Sequence, residues 1–443
     1  MFENVLGQSA ASQLKEDITA GLLTQAMLFS GPAACGKGTC ALELARVISC
    51  ENDSSWSCAC PACVRHKLLI HPDLLCLGWR PFSAEISACA GAFLRDQSTA
   101  TRTLFIRSIR KLLARFNPVL WEDDPKRTKL FPMVVSIEEE LDELGLTSPE
   151  SAGDYASLVE EIKKNAFKLE SEGVSENIPI DHIRRANAWG HLAPTGKARL
   201  LLIENADRMQ EEARNSLLKL LEEPPARLYC VITSSRAGSL LPTILSRLRP
   251  YHFISRDSSV EAEVIRRVFK DQIVLEDTEL PAGKTRLETY LDSFLPVSGA
   301  VLSELAAFFA ASIAYKAAIL SKKHGRQIPE EVVRLGQYNA PIAEAAGLGR
   351  PNPEAGAAVE LILNKAEKFA IRSLFSRFLM SLSDHASMRF QAAQDSYLPR
   401  PDYYEMWKKS LSWANEAAGT YNLRPVQVLE KLFIRLSREM AEL

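Results

Sequence analysis

Residues 31–39 read Gly-Pro-Ala-Ala-Cys-Gly-Lys-Gly-Thr, a loop suited to the junction between a strand and a helix. The pattern is G-x-x-x-x-G-K-[ST] with one position changed. Gly31, Gly36 and Lys37 are in place, and Gly38 stands where the hydroxyl belongs. In such a loop the backbone N–H groups cradle phosphate, the lysine reaches the outer phosphates, and the hydroxyl after it holds Mg²⁺. Here the cradle and the lysine are kept and the metal ligand is lost, unless Thr39 takes its place. The context fits the motif. Residues 26–30, Ala-Met-Leu-Phe-Ser, form the short apolar run of a buried parallel strand, and residues 39–48 carry apolar side chains at helical spacing. The glycines therefore precede a helix N-terminus, where unpaired N–H groups and the dipole favour an anion. The expectation is a chain that binds ATP or ADP without hydrolysing it.

A second segment points the same way. Residues 199–203, Arg-Leu-Leu-Leu-Ile, read as another buried strand, followed by Glu204, Asn205, Ala206 and Asp207. In P-loop ATPases an acid at such a strand end holds Mg²⁺. Glu204 fills that position, but Asn205 follows it, and an amide cannot act as a base. Gly38 and Asn205 are thus two losses in one piece of chemistry.

Cys50, Cys58, Cys60 and Cys63 fall within fourteen residues. Cys60-Pro-Ala-Cys63 is a C-x₂-C knuckle, and Cys50 and Cys58 complete a tetrahedral thiolate set suited to structural Zn²⁺. Cys58-Ala-Cys60 is an unusually tight chelate, and His66 is an alternative ligand. Four thiolates also suit iron, and free thiols in a loop are the other reading. Four protein ligands leave no open position for catalysis. Cys35, Cys40, Cys76, Cys89 and Cys230 read as small apolar residues. The 443 residues carry a net charge of −2, so the whole molecule is not an electrostatic trap for DNA. No membrane span is expected, and the N-terminus lacks a basic-then-apolar signal pattern, so the expected location is the cytoplasm, with thiols reduced.

From Met209 the chain runs Gln-Glu-Glu-Ala-Arg-Asn-Ser-Leu-Leu-Lys-Leu-Leu-Glu-Glu-Pro-Pro225. Ala213, Leu217, Leu220 and Leu221 share one helical face, and the prolines stop the helix. A strand over 228–233 follows, then Leu-Pro-Thr-Ile-Leu-Ser-Arg-Leu at 241–248. N-S-L-L-K-L-L-E-E-P-P followed by T-I-L-S-R resembles the clamp-loader branch of the AAA+ ATPases, and within it the delta-prime family of bacterial DNA polymerase III. Phe2-Glu-Asn-Val-Leu-Gly-Gln8, the cysteine cluster after the loop helix, His71-Pro-Asp73, Ile180-Asp-His-Ile-Arg184 and the segment from Asn422 to Phe433 are similar to that family in the same order. The likeness is close over residues 1–79 and 178–254 and weak in the C-terminal helices.

The resemblance implies an α/β AAA+ P-loop module with a parallel sheet and a zinc knuckle, a small helical lid and an all-α C-terminal collar. The corresponding boundaries are 1–255 for the module, with the knuckle at 50–63, then 256–325 for the lid and 326–443 for the collar. It implies that Ser246 and Arg247 belong to an arginine-finger motif, with Leu248 in place of its cysteine, so that Arg247 reaches a neighbouring subunit's ATP. Permanent charge and a planar fork suit arginine to developing phosphate charge. Thr233 matches a position that senses the γ-phosphate in active relatives, or simply caps its strand. The implied partners are gamma/tau-type and delta-type subunits, the sliding clamp and, through the complex, primed DNA. The implied work is to complete the loader ring; the alternative is an active gamma/tau-like ATPase.

The segment 80–178 reads as an insertion the family core does not need. Within it, Phe105, Ile109, Leu112, Leu113 and Phe116 form one helical face, while Arg102, Arg107, Arg110, Lys111 and Arg115 supply unbroken positive charge. This helix either meets DNA or an acidic partner, or packs on the core with a solvated basic face; the second is the commoner arrangement. Asp123, Asp124 and the acidic run 138–140 are available to pair with it. Beyond residue 256 the sequence is almost wholly helical, including an alanine-rich apolar stretch over 302–320 and helices over 366–386 and 403–440. A loop at 347–353 marks a candidate boundary.

Overall fold

The computed structural model describes every residue except 147–154, 176, 210, 273–284, 296, 366–370, 388–397 and 420–422. The expected helices lose residues 366–370 and 420–422 to these gaps, and Gln210 and Asn422 of the quoted motifs also lie outside the described residues. The chain divides into two compact units, Met1–Phe294 and Leu295–Leu443.

The first unit is built on five parallel strands: β1 (Ala26–Ser30), β2 (Leu74–Gly78), β3 (Arg199–Glu204), β4 (Leu228–Ser234) and β5 (Arg249–His252). Their order is β2-β3-β4-β1-β5. Successive side chains point to opposite faces of a strand. Met27, Phe29, Leu200, Leu202 and Val231 accordingly join one apolar layer, with Leu14, Cys40 and Leu44 from covering helices. Leu28, Leu75, Leu77, Leu201, Ile203 and Ile232 join the other. Both faces are covered, so the strands read as continuous apolar runs.

The segment 80–178, expected as an insertion, contributes to the second layer. Helices Ser83–Asp96, Thr99–Leu113 and Tyr155–Gly173 bring Ile86, Phe93, Phe105, Ile109, Leu112, Val159 and Ile162 into the core beneath β2 and β3. This segment shares one face of the sheet with helices Ile180–His191 and Glu211–Glu222, whose Ile183, Ala186 and Leu217 join the same core. All five residues of the expected apolar face are buried, although Phe116 lies on a 3₁₀ turn, Ala114–Phe116, after the helix proper.

The basic face is not solvated. Arg102 is buried and donates to the Tyr155 hydroxyl at 3.3 Å. Arg107 donates to the Lys67 carbonyl and Arg110 to the Leu68 carbonyl at 3.2 Å, both at the end of the cysteine knuckle's helix. Arg110 also lies 3.7 Å from Glu138, one of the acids expected to pair with it. Lys111 pairs with Glu85, and Arg115 with Glu204. The charge is spent inside the unit.

Residues 256–294 belong to this unit as well. Helices Ser258–Phe269 and Arg286–Ser293 place Ile265, Phe269 and Tyr290 in the same core.

In the second unit, helix Gly299–Lys323 is surrounded by its neighbours, which is why it is apolar on most sides. Phe309 meets the edges of Phe378 and Phe433, with ring centroids at 5.8 and 5.6 Å. By length and composition this helix would also span a membrane, but 67% of its most apolar window is buried among the other helices, as in a bundle core. His385 bridges Ser303 at 2.8 Å and Asn339 at 2.7 Å, tying three helices through a paired polar network. The segment read as a lid, 256–325, is divided between the units, and the 347–353 loop lies inside the second.

Candidate nucleotide site and cysteine cluster

The register aligns Ser30 with Ser234 and Gly78 with Glu204, so the carboxyl ends of β1 to β4 open on one edge. Open α/β sheets bind ligands along that edge. Gly31 follows β1 at φ +150, and a Cβ there would lie 2.2 Å from the Phe253 carbonyl oxygen. Gly36, at φ +100, begins helix Lys37–Ser49 with no side-chain cap, leaving first-turn N–H groups for an anion. Lys37 is turned onto the loop itself: Nζ donates to the carbonyls of Gly31 at 2.7 Å and Pro32 at 2.5 Å. Burial lowers its pKa. A second cation, absent from the sequence reading, closes the other side. Arg256 donates to the carbonyls of Ala34 at 2.7 Å and Leu6 at 3.0 Å, and its Nη2 would stand 2.6 Å from a Cβ at Gly36.

Gly38 faces the end of β3. A Cβ at that position would lie 2.7 Å from Glu204 Oε1, whereas Thr39, one residue on, is exposed. Glu204 is buried; its other oxygen, Oε2, is paired with Arg115 and lies 3.7 Å from Arg80 Nε. Both guanidiniums sit over the Phe82 ring, at 4.7 Å for Arg80 and 5.4 Å for Arg115. Burial pulls Arg115 down to about 10, which still leaves it charged at neutral pH. Asn205, at φ +52, donates from its side chain to the Trp79 carbonyl at 2.7 Å and from its backbone to Thr233 Oγ1 at 3.1 Å. Thr233 thus caps the turn after β3. Arg247 follows the short helix Pro242–Leu245, is exposed, and pairs with Glu222 at 2.7 Å on helix Glu211–Glu222.

The four cysteines converge. Their Sγ atoms all lie within 4.8 Å of one another, with Cys50–Cys58 at 3.6 Å and Cys50–Cys60 at 4.0 Å. Zn–S bonds of about 2.3 Å in a tetrahedron require S–S edges of about 3.8 Å, so the set fits that ion. Cys50 ends the loop helix, and Cys60 and Cys63 flank the start of helix Pro61–Lys67. Burial opposes ionisation of Cys50, but hydrogen bonds led by the Asn52 N–H outweigh it and bring its pKa to about 6. Arg46, 1% exposed, pairs with Glu43, donates to the Ser54 and Ser55 carbonyls and reaches Cys63 Sγ at 3.1 Å. Sequence reasoning did not single it out. His66 stands outside the thiol set, stacked on His71 at 4.0 Å.

A parallel sheet with a phosphate loop after β1 and an acid at the end of β3 defines a P-loop-type α/β protein. A family model described as DNA polymerase III, delta subunit, matches residues 7–119 and 143–257, just over half of the chain, and the chain belongs to that family. The match runs through most of 80–178 and leaves only 120–142 of it uncovered. The Haemophilus influenzae DNA polymerase III subunit delta' is 27% identical over 126 residues, covering 27% of this chain and 38% of that protein. The Pseudomonas aeruginosa subunit delta' is 37% identical over 82 residues, covering 18% and 25%. The Mycobacterium tuberculosis subunit gamma/tau is 27% identical over 104 residues, covering 23% and 18%. The chain thus spans well under half the length of these relatives. A Thermotoga maritima gamma subunit-related protein covers 66% of this chain and 92% of its own at 16% identity, with a TM-score of 0.25, too low to bear on the fold.

Proposed function

We propose that this chain is a hydrolysis-deficient clamp-loader subunit of the delta-prime kind. It works in the cytoplasm with gamma/tau-type and delta-type subunits, the sliding clamp and primed DNA. In this reading the first unit is the AAA+ module, the helices after residue 326 are the collar, and the four cysteines hold a structural Zn²⁺ that fixes the knuckle. ATP or ADP rests in the loop without being split, and Arg247 is offered to a neighbour's ATP.

One observation carries the reading: the acid that should hold Mg²⁺ is paired to an arginine of its own chain, while Arg247 stands exposed. A side chain committed to an internal ion pair is poorly placed to bind metal. Arg247 is exposed and its pair with Glu222 lies at the surface, where such a pair is worth little, which supports a role in trans. The test is steady-state ATPase of the chain alone. No turnover above background is expected. Turnover abolished by Lys37→Ala would instead support the active gamma/tau-like reading.

A further inference from the structure

We propose that Arg115 is a resident cation occupying the place of Mg²⁺ at the end of β3, and that Gly38 is the complement that makes room for it. This rests on reading residues 31–39 as a nucleotide loop, but it concerns metal rather than turnover. Mg²⁺ demands near-octahedral oxygen ligands at about 2.0–2.1 Å. In a working loop those include the hydroxyl after the lysine and the acid of the facing strand. Here one oxygen of that acid is already paired and the other faces Gly38. Glu204 Oε2 takes the Arg115 guanidinium, with Arg80 Nε at 3.7 Å, and Oε1 lies where a side chain at residue 38 would begin, 2.7 Å from its Cβ. Arg80 is shared with Glu85, which also pairs with Lys111, so the cluster sets three cations against two carboxylates, and the surplus positive charge repels a divalent cation.

Arg115 is itself fixed. It is 6% exposed, its carbonyl accepts from Trp121 Nε1 at 2.7 Å, and its guanidinium is stacked over Phe82. The loss at residue 38 and the arginine at 115 are therefore one arrangement. Without a hydroxyl or even a Cβ at 38, the carboxylate can lean toward the loop helix, and there it meets an arginine from the layer beneath the sheet. The cradle formed by Gly31 and Gly36 lies apart from this pair, so the expectation is that the loop accepts phosphate and rejects the metal.

Restoring residue 38 alone should then fail. In Gly38→Ser the new Cβ collides with a carboxylate pinned by Arg115, and the metal still finds a cation in its place. The experiment is water-proton relaxation of Mn²⁺-ATP titrated with the full chain, with near-UV circular dichroism as the folding check. No enhancement over Mn²⁺-ATP alone is expected for the native chain or for Gly38→Ser. Enhancement is expected to appear in Gly38→Ser/Arg115→Gln. Enhancement in the native chain or in Gly38→Ser overturns the proposal, as does its absence from a folded double variant. If the double variant does not fold, the Gly38→Ser result decides. Mn²⁺ bound by a native chain that shows no turnover would sink this inference and leave the hydrolysis-deficient reading standing.

Discussion

Glu85 is a carboxylate that only its neighbours keep charged. Burial opposes its ionisation, but Arg80 at 2.7 Å and Lys111 outweigh it and hold its pKa down to about 2. An unfolded glutamate titrates at about 4.3, so this contribution is complete above about pH 5 and is lost as pH falls toward 2. Glu85→Gln is expected to cost about 1–3 kcal/mol at pH 7. It should also flatten the fall of Tm between pH 5 and 3, read by thermal unfolding; a slope equal to that of the native chain would refute the assignment. At this scale the sequence showed the anomalies but not their partners. Gly38 and Asn205 stand out because a motif defines what should be there. Arg115, Arg80, Arg256 and Arg46 do not, because each acts on a residue or loop that only the fold brings to it. Arg115 meets Glu204 across 89 positions and Arg256 meets Ala34 across 222.

Among the elements, those that bury an uninterrupted apolar run were legible. β1 occupies the expected 26–30, β3 extends the expected 199–203 by Glu204, and β4 extends 228–233 by Ser234. β5 was not legible: Arg-Pro-Tyr-His has no apolar run, and its proline is tolerated because the strand lies at a sheet edge. Helix Thr99–Leu113 shows the limit of periodicity, since its apolar face was readable and the destination of its basic face was not. Arg107 and Arg110 end on the carbonyls of Lys67 and Leu68, so this helix braces the cysteine knuckle. Cys63→Ser is expected to abolish stoichiometric zinc, measured by atomic absorption, and to lower Tm, because a structural zinc contributes its binding energy to folding. A zinc-free native chain with unchanged Tm after chelation would contradict the structural-metal assignment.

Across the whole molecule, the class was readable and the boundaries were not. Loop, acidic strand and cysteine cluster appear in order, which restricts the first unit to a P-loop-type sheet. The division at Phe294/Leu295 follows packing: helix Gly299–Lys323 buries its apolar surface among later helices, which no local turn signal reports. The loop at 347–353 carries the glycines and prolines of a linker but joins helices of one core. The part of 80–178 in the core was not legible for a related reason, since a helical layer remote from any motif gives no local sign of the sheet face it packs on.

In the proposed role the chain does not turn over ATP but completes a neighbour's site with Arg247. The most direct measurement is steady-state ATPase of the reconstituted loader with clamp and primed DNA, comparing native chain with Arg247→Ala. The expected result is a fall of about tenfold or more, about 1.4 kcal/mol of barrier, with assembly unchanged by gel filtration. An assembled Arg247→Ala complex that hydrolyses ATP at the native rate would contradict it.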